Sequence, residues 1–226
     1  MEQTAKKKGR SNTLTYAAYQ RLKEDICNGV IRSGSLLSEA QVAAQLGISR
    51  TPVREALAAL ESEGLVEIKR GIGAQVKPLS FSDVIHIYDL RKVLEPLAAQ
   101  TAILHITEQD LKESRHKFMD LLKYKDEPFQ IQVKKYVEAD WDFHMLLVER
   151  CENTFIAPIM NMLQPTVRRL QVISYRPENY SVQEAIDQHL QLIEAIEERD
   201  VSKLCQQLRT HLSWSLAGFL NPTAML

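Results

Sequence analysis

The sequence predicts a mainly α protein, with an N-terminal winged helix-turn-helix carrying a β-hairpin wing and a C-terminal antiparallel all-α bundle. Three observations carry this. Residues 38–63 hold two apolar-faced helical segments separated by Gly47. Residues 66–76 alternate like two short strands around the turn Lys69-Arg70-Gly71-Ile72-Gly73. From Ser80 to Leu220 the apolar spacing is helical, with no strand signal.

The elements follow in order. Residues 1–13 are polar, include Lys6-Lys7-Lys8-Gly9-Arg10, and read as a flexible basic arm, solvated or touching DNA. A first helix over Tyr16–Asn28 sets Tyr19, Leu22 and Ile26 on one face, and Gly29 ends it. Ser38-Glu39-Ala40-Gln41 reads as a capping box opening the second helix. Ser49 caps a third, Arg50–Glu63, whose apolar face is Val53, Ala56, Leu57 and Leu60. The strands Val66-Glu67-Ile68 and Ala74-Gln75-Val76 make the wing, and Pro78 marks a boundary. Three parts result: an arm over 1–13, a winged helix over 14–77 and a helical domain over 78–226. Six helices are predicted in the last, roughly 82–104, 108–125, 129–152, 155–175, 182–199 and 201–220, with a capping box at Ser181-Val182-Gln183-Glu184. Pro96 and Pro165 fall inside them. Short loops between helices favour an antiparallel bundle.

With 226 residues, 45% of them hydrophobic, the chain has room for two small packed domains. No apolar run reaches transmembrane length and no signal peptide opens the chain, so a cytoplasmic protein without a membrane partner is expected. Cys27, Cys151 and Cys205 lack metal-site spacing and suit buried thiols in a reducing compartment. The net charge of −1 hides an asymmetry: residues 1–78 carry 12 Lys and Arg against 8 acids, while the remainder is net acidic. A basic front half suits a phosphate backbone, where neutralised phosphates release counterions.

The third helix leaves Arg50, Thr51 and Arg54 pointing outward near its N-terminus, where recognition helices meet base edges. Arginine can grip guanine O6 and N7 with two bonds, and Ser49 and Thr51 suit phosphates or bases. Glu55 stands as a rival partner for either arginine. Arg70 at the hairpin tip either enters a minor groove or sits in a solvated turn.

A second constellation lies in the helical half. Asp140 and His144 are four apart on a face shared with Val137 and Leu147. His189 interrupts the stripe Ile186, Leu190, Ile193, and His211 interrupts Leu204, Leu208, Leu212. A buried carboxylate is costly unless paired or metal-bound. One carboxylate with three imidazoles suits zinc, nickel, iron or manganese. The residues alone leave this level with a set of satisfied core polar groups. Asp142 falls on another face, and His86, His105 and His116 have no comparable partners. No nucleophile set, P-loop or dinucleotide fingerprint supports an enzyme, so none is expected.

The run Leu37-Ser38-Glu39-Ala40-Gln41-Val42-Ala43, then Leu46-Gly47-Ile48-Ser49-Arg50-Thr51-Pro52-Val53-Arg54-Glu55-Ala56-Leu57, Leu60 and Glu63-Gly64-Leu65-Val66, closely resembles the GntR family of bacterial transcription regulators. The resemblance covers almost all of the first 76 residues. It implies DNA contacts at Ser49, Arg50, Thr51 and Arg54, with Gly71 near the wing tip. The chain departs from it at Ala40, where relatives commonly carry a DNA-touching arginine. The second half looks like the FCD effector domain of the FadR-type branch, through Asp140-Trp141-Asp142-Phe143-His144, His189 with Ala195-Ile196-Glu197-Glu198-Arg199-Asp200, and His211-Leu212. Six helices put it nearer the VanR-like group. That likeness implies Asp140, His144, His189 and His211 as ligands of a divalent transition metal, zinc or nickel before iron or manganese. It also implies Arg91 as the cation for an effector carboxylate, with an ion pair to Glu95 as the alternative. The usual Gly-Asn after the first metal helix reads Glu152-Asn153 here. Together these imply a homodimeric regulator on double-stranded operator DNA, a repressor released by a small organic acid. A metal-sensing regulator, one with a purely structural metal, and a metal-dependent enzyme are the alternatives.

Overall fold

The computed structural model describes residues 2–178 and 180–220, in two compact units, Met1–Leu79 and Ser80–Leu226. The first contains α1 (Glu2–Cys27), β1 (Leu36–Leu37), α2 (Glu39–Leu46), α3 (Arg50–Ser62), β2 (Val66–Lys69) and β3 (Gly73–Val76). Leu22 and Ile26 of α1 meet Val42 of α2, Val53, Leu57 and Leu60 of α3, and Val66, Ala74 and Val76 of the sheet in one core. Burial of that shared apolar face holds helices too short to persist alone.

The strands are antiparallel in the order β1-β3-β2, with Val66 opposite Val76, Lys69 opposite Gly73 and Leu37 opposite Ala74. β1 was not expected, because two residues show no period. Its approach explains Gly73, whose φ is +137° and where a Cβ would sit 2.1 Å from the Leu37 carbonyl oxygen. Gly71 takes φ +76° at the wing turn.

The segment expected as a basic arm lies inside α1, which starts at Glu2. Two local expectations are corrected. Ser38 and Ser49 occupy the N-cap positions of α2 and α3, but neither side chain accepts a cap bond, so no capping box forms at Ser38. These helix starts rest on core packing instead.

The second unit holds α4 (Phe81–Ala102), α5 (Glu108–Leu121) with a 3₁₀ turn over Leu122–Tyr124, α6 (Phe129–Arg150), α7 (Ile156–Ser174), α8 (Val182–Glu197) and α9 (Val201–Leu220). No strand occurs there among the described residues. Reciprocal capping boxes at Ser80/Asp83 and Thr107/Asp110 open α4 and α5, and Ser181 accepts from the Glu184 amide at α8. Pro96 and Pro165 stay within α4 and α7. α4 packs along α9, α6 and α7, while α8 meets α5, α6 and α9. Tyr88, Phe118, Phe143, Leu192, Leu208 and Phe219 are buried between them. The Arg199 guanidinium donates to the carbonyls of Ile103 and Ile106, just past the end of α4. Among the described residues, no helix is long and apolar enough to cross a membrane.

Candidate metal centre and nucleic-acid interface

Four predicted ligands from three helices converge. Asp140 and His144 come from α6, His189 from α8 and His211 from α9, and each is at most 2% exposed. One ligand atom from each lies within 4.8 Å of the others. Asp140 Oδ1 is 3.6, 3.4 and 3.8 Å from the Nε2 atoms of His144, His189 and His211. A tetrahedral zinc with bonds of ~2.0–2.1 Å spaces its ligands by about 3.3 Å, so the donor set fits such an ion with small adjustments.

The shell around them fixes the rings. His144 Nδ1 meets Glu95 Oε2, His189 Nδ1 meets the Ala185 carbonyl at 2.8 Å, and His211 Nδ1 meets Gln188 Oε1 at 2.9 Å. With Nδ1 occupied in every ring, Nε2 is the nitrogen turned inward. The Nε2 atoms of His144 and His189 are buried without a hydrogen-bond partner. Tyr136 donates to Asp140 Oδ1 at 2.8 Å and Gln171 Nε2 to Oδ2 at 2.9 Å. Phe118 stacks on His189, with ring centroids 4.4 Å apart.

Charge is balanced within the cluster. Burial pulls on His144, but the Glu95 and Asp140 carboxylates override it and raise its pKa to about 9. Burial lowers His189, and it lowers His211, helped by neighbouring His189, to about 3. Burial would raise both acids, yet Arg91 and His144 bring Glu95 down to about 2, and His144 with the imidazole bonds keeps Asp140 well below the usual range. Arg91 and protonated His144 therefore face two carboxylates.

Arg91 is buried, and its Nε donates to Glu95 Oε1 at 2.6 Å, so the ion pair weighed against the effector contact forms. Its Nη2 remains without a hydrogen-bond partner, while the buried hydroxyls of Tyr88, Tyr175 and Tyr180 face one another. Glu95, Gln171, Gln188 and Tyr136 were not singled out as site residues. Glu95 sits four residues from Arg91, the spacing that could have flagged it. Asp142 points elsewhere and pairs with Lys117, and His105 and His116 contact only surface acids.

In the first unit Ser49, Arg50, Thr51, Arg54, Arg70 and Gly71 are all exposed. Pro52, Val53, Ala56, Leu57 and Leu60 bury the opposite face of α3. Glu55 takes the Thr15 hydroxyl at 2.7 Å instead of an arginine. Glu39, at the start of α2, is the residue that grips Arg54.

Residues 14–76 match the pattern of the bacterial regulatory proteins of the gntR family, and residues 86–213 match the FCD domain. The chain belongs to the GntR family. The gluconate operon transcriptional repressor of Bacillus subtilis is 31% identical to it, over 90% of this chain and 84% of its own length. The transcriptional repressor RspR of Escherichia coli K12 is 29% identical, over 86% and 83%. The solved structure of E. coli McbR/YncC has a TM-score of 0.73 at 22% identity, covering 88% of this chain and 93% of its own, a likeness of fold. Domains and relatives mark this GntR protein as a transcriptional regulator and not an enzyme. GntR regulators bind operator DNA.

Proposed function

We propose that this GntR regulator is a homodimeric, cytoplasmic repressor whose grip on operator DNA is relaxed by a small organic acid bound at a divalent transition metal. The observation that carries this reading is the convergence of three ring-fixed Nε2 atoms on Asp140 in the buried core of the helical unit. Asp140, His144, His189 and His211 would hold the ion, zinc or nickel before iron or manganese. The ion would supply Lewis acidity toward a ligand oxygen. A divalent charge in place of the His144 proton would add positive charge beside the buried groups Arg91, Glu95 and Asp140, and an anionic ligand oxygen would offset it. Arg91 Nη2 offers a further hydrogen bond to a polar acid. Relatives named for gluconate and D-xylose operons fit a regulator of small polar carbon sources.

On the DNA side, Arg50, Thr51 and Arg54 would face bases, Ser49 a phosphate, and Arg70 with Gly71 the minor groove. The acid acts through its differential affinity for the DNA-competent state, a coupling of typically ~1–3 kcal/mol. The test is a gel shift of the metal-loaded protein on its operator across a panel of C2–C6 mono- and dicarboxylates. Release by one of them at constant metal supports the reading; DNA binding that follows metal alone supports a metal sensor instead. A purely structural metal is favoured by one observation, the closure of Arg91 onto Glu95. It predicts loss of the fold on chelation and no response to any acid.

A further inference from the structure

Arg54 is not a free reader. Its Nε donates to Glu39 Oε1 at 2.9 Å and its Nη2 to Glu39 Oε2 at 2.8 Å, a two-bonded fork between α3 and α2. The Arg54 side chain is 68% exposed, so the pair adds little to folding. A carboxylate on the surface that meets a polyanion also works against non-specific binding. What the fork does supply is direction. Glu39 occupies the Nε/Nη2 edge of the guanidinium and leaves the Nη1/Nη2 edge, two parallel donors, turned away from it. Arg50 lies one turn earlier on α3 and has no ion pair among the described residues.

We infer that Glu39 is a specificity-determining residue, a buttress that presents the outer edge of Arg54 to one guanine in each half-site. The inference rests on α3 being the base-reading helix. A phosphate is the poorer target for Arg54, since Glu39 already offsets the charge a phosphate would use. At guanine O6 and N7, geometry counts for more than charge, and a held fork loses less freedom on binding. Arg50 and Arg54 stand about 6 Å apart along the helix, roughly two base-pair steps. Each therefore sets its own position in the site.

The experiment uses the full-length protein, with a duplex it selects from a randomised library and a scrambled duplex as probes. Glu39→Ala should weaken binding to the selected duplex at least about tenfold. Binding to the scrambled duplex should hold or improve, and the melting temperature should not move. Reselection with Glu39→Ala and with Arg54→Ala should lose preference at the same base pair, and Arg50→Ala at a different one. The inference is overturned if Glu39→Ala binds the selected duplex as well or better with its preference intact, because Glu39 is then only a brake on Arg54. It is equally overturned if the loss is uniform across sequences, which makes Arg54 a phosphate contact. If the unmodified protein enriches no sequence at all, the reading of α3 fails first and takes the buttress with it.

Discussion

Each clustered histidine has its Nδ1 spoken for, and this decides what substitutions do. His189→Ala removes an inward Nε2 and should abolish metal uptake, read by native mass spectrometry; full stoichiometry would strike His189 from the ligand set. Glu95→Gln leaves the four candidate ligands but takes the carboxylate charge from the His144 ring, and should cost ~10–100-fold in metal affinity by competition with a chromogenic chelator. The Glu95 and Asp140 carboxylates keep a proton on His144 up to about pH 9. Metal must displace it, so uptake at pH 7.5 should release about one proton, and the release should fade as pH rises through 9. Calorimetry in two buffers of different ionisation enthalpy measures it; no buffer dependence at pH 7.5 contradicts it. On α3, Arg50→Ala should cost ~1–3 kcal/mol of operator affinity. Of the candidate site, the inward placement of Asp140, His144, His189 and His211 was legible because Asp140 and His144 share a helical face and each histidine breaks an apolar stripe; reading them as ligands came from the family resemblance. Glu95 was not, because it reaches His144 across 49 residues of chain.

At the scale of elements, Thr107 and Asp110 close α5 by reciprocal bonds and Arg150 pairs with the same carboxylate. Thr107→Ala should destabilise the chain by ~0.5–2 kcal/mol in urea. The backbone amide of Thr107 and the Arg150 guanidinium lower the Asp110 pKa from its ordinary value of 3.8. A lowered folded-state value means that the contribution is complete above the unfolded value and lost as pH falls below it. Asp110→Asn should therefore flatten the acid limb of the stability curve below about pH 4. The helices of the second unit were read to within a few residues because long periodic segments overdetermine their own type; α9 has the bounds expected. β1 escaped because two leucines carry no pattern, and its existence depends on β3 arriving beside it. The caps at Ser38 and Ser49 failed since residue type permits a cap without requiring one.

The whole molecule divides into two compact units, and the candidate ligands all belong to the second. Chelation should lower the melting transition of that unit and leave the winged unit's transition in place, by scanning calorimetry. A joint shift of both would contradict this. The division itself was foreshadowed by Pro78 and by the change from basic to acidic composition, both of which are local in sequence. The self-neutralising quartet of Arg91, Glu95, His144 and Asp140 has a consequence for the life of the protein in a cell. If the cluster holds an ion as proposed, losing it strands no anion in the interior, so the starved molecule keeps its fold and can be reloaded; in the meantime it would sit on its operator, deaf to the acid.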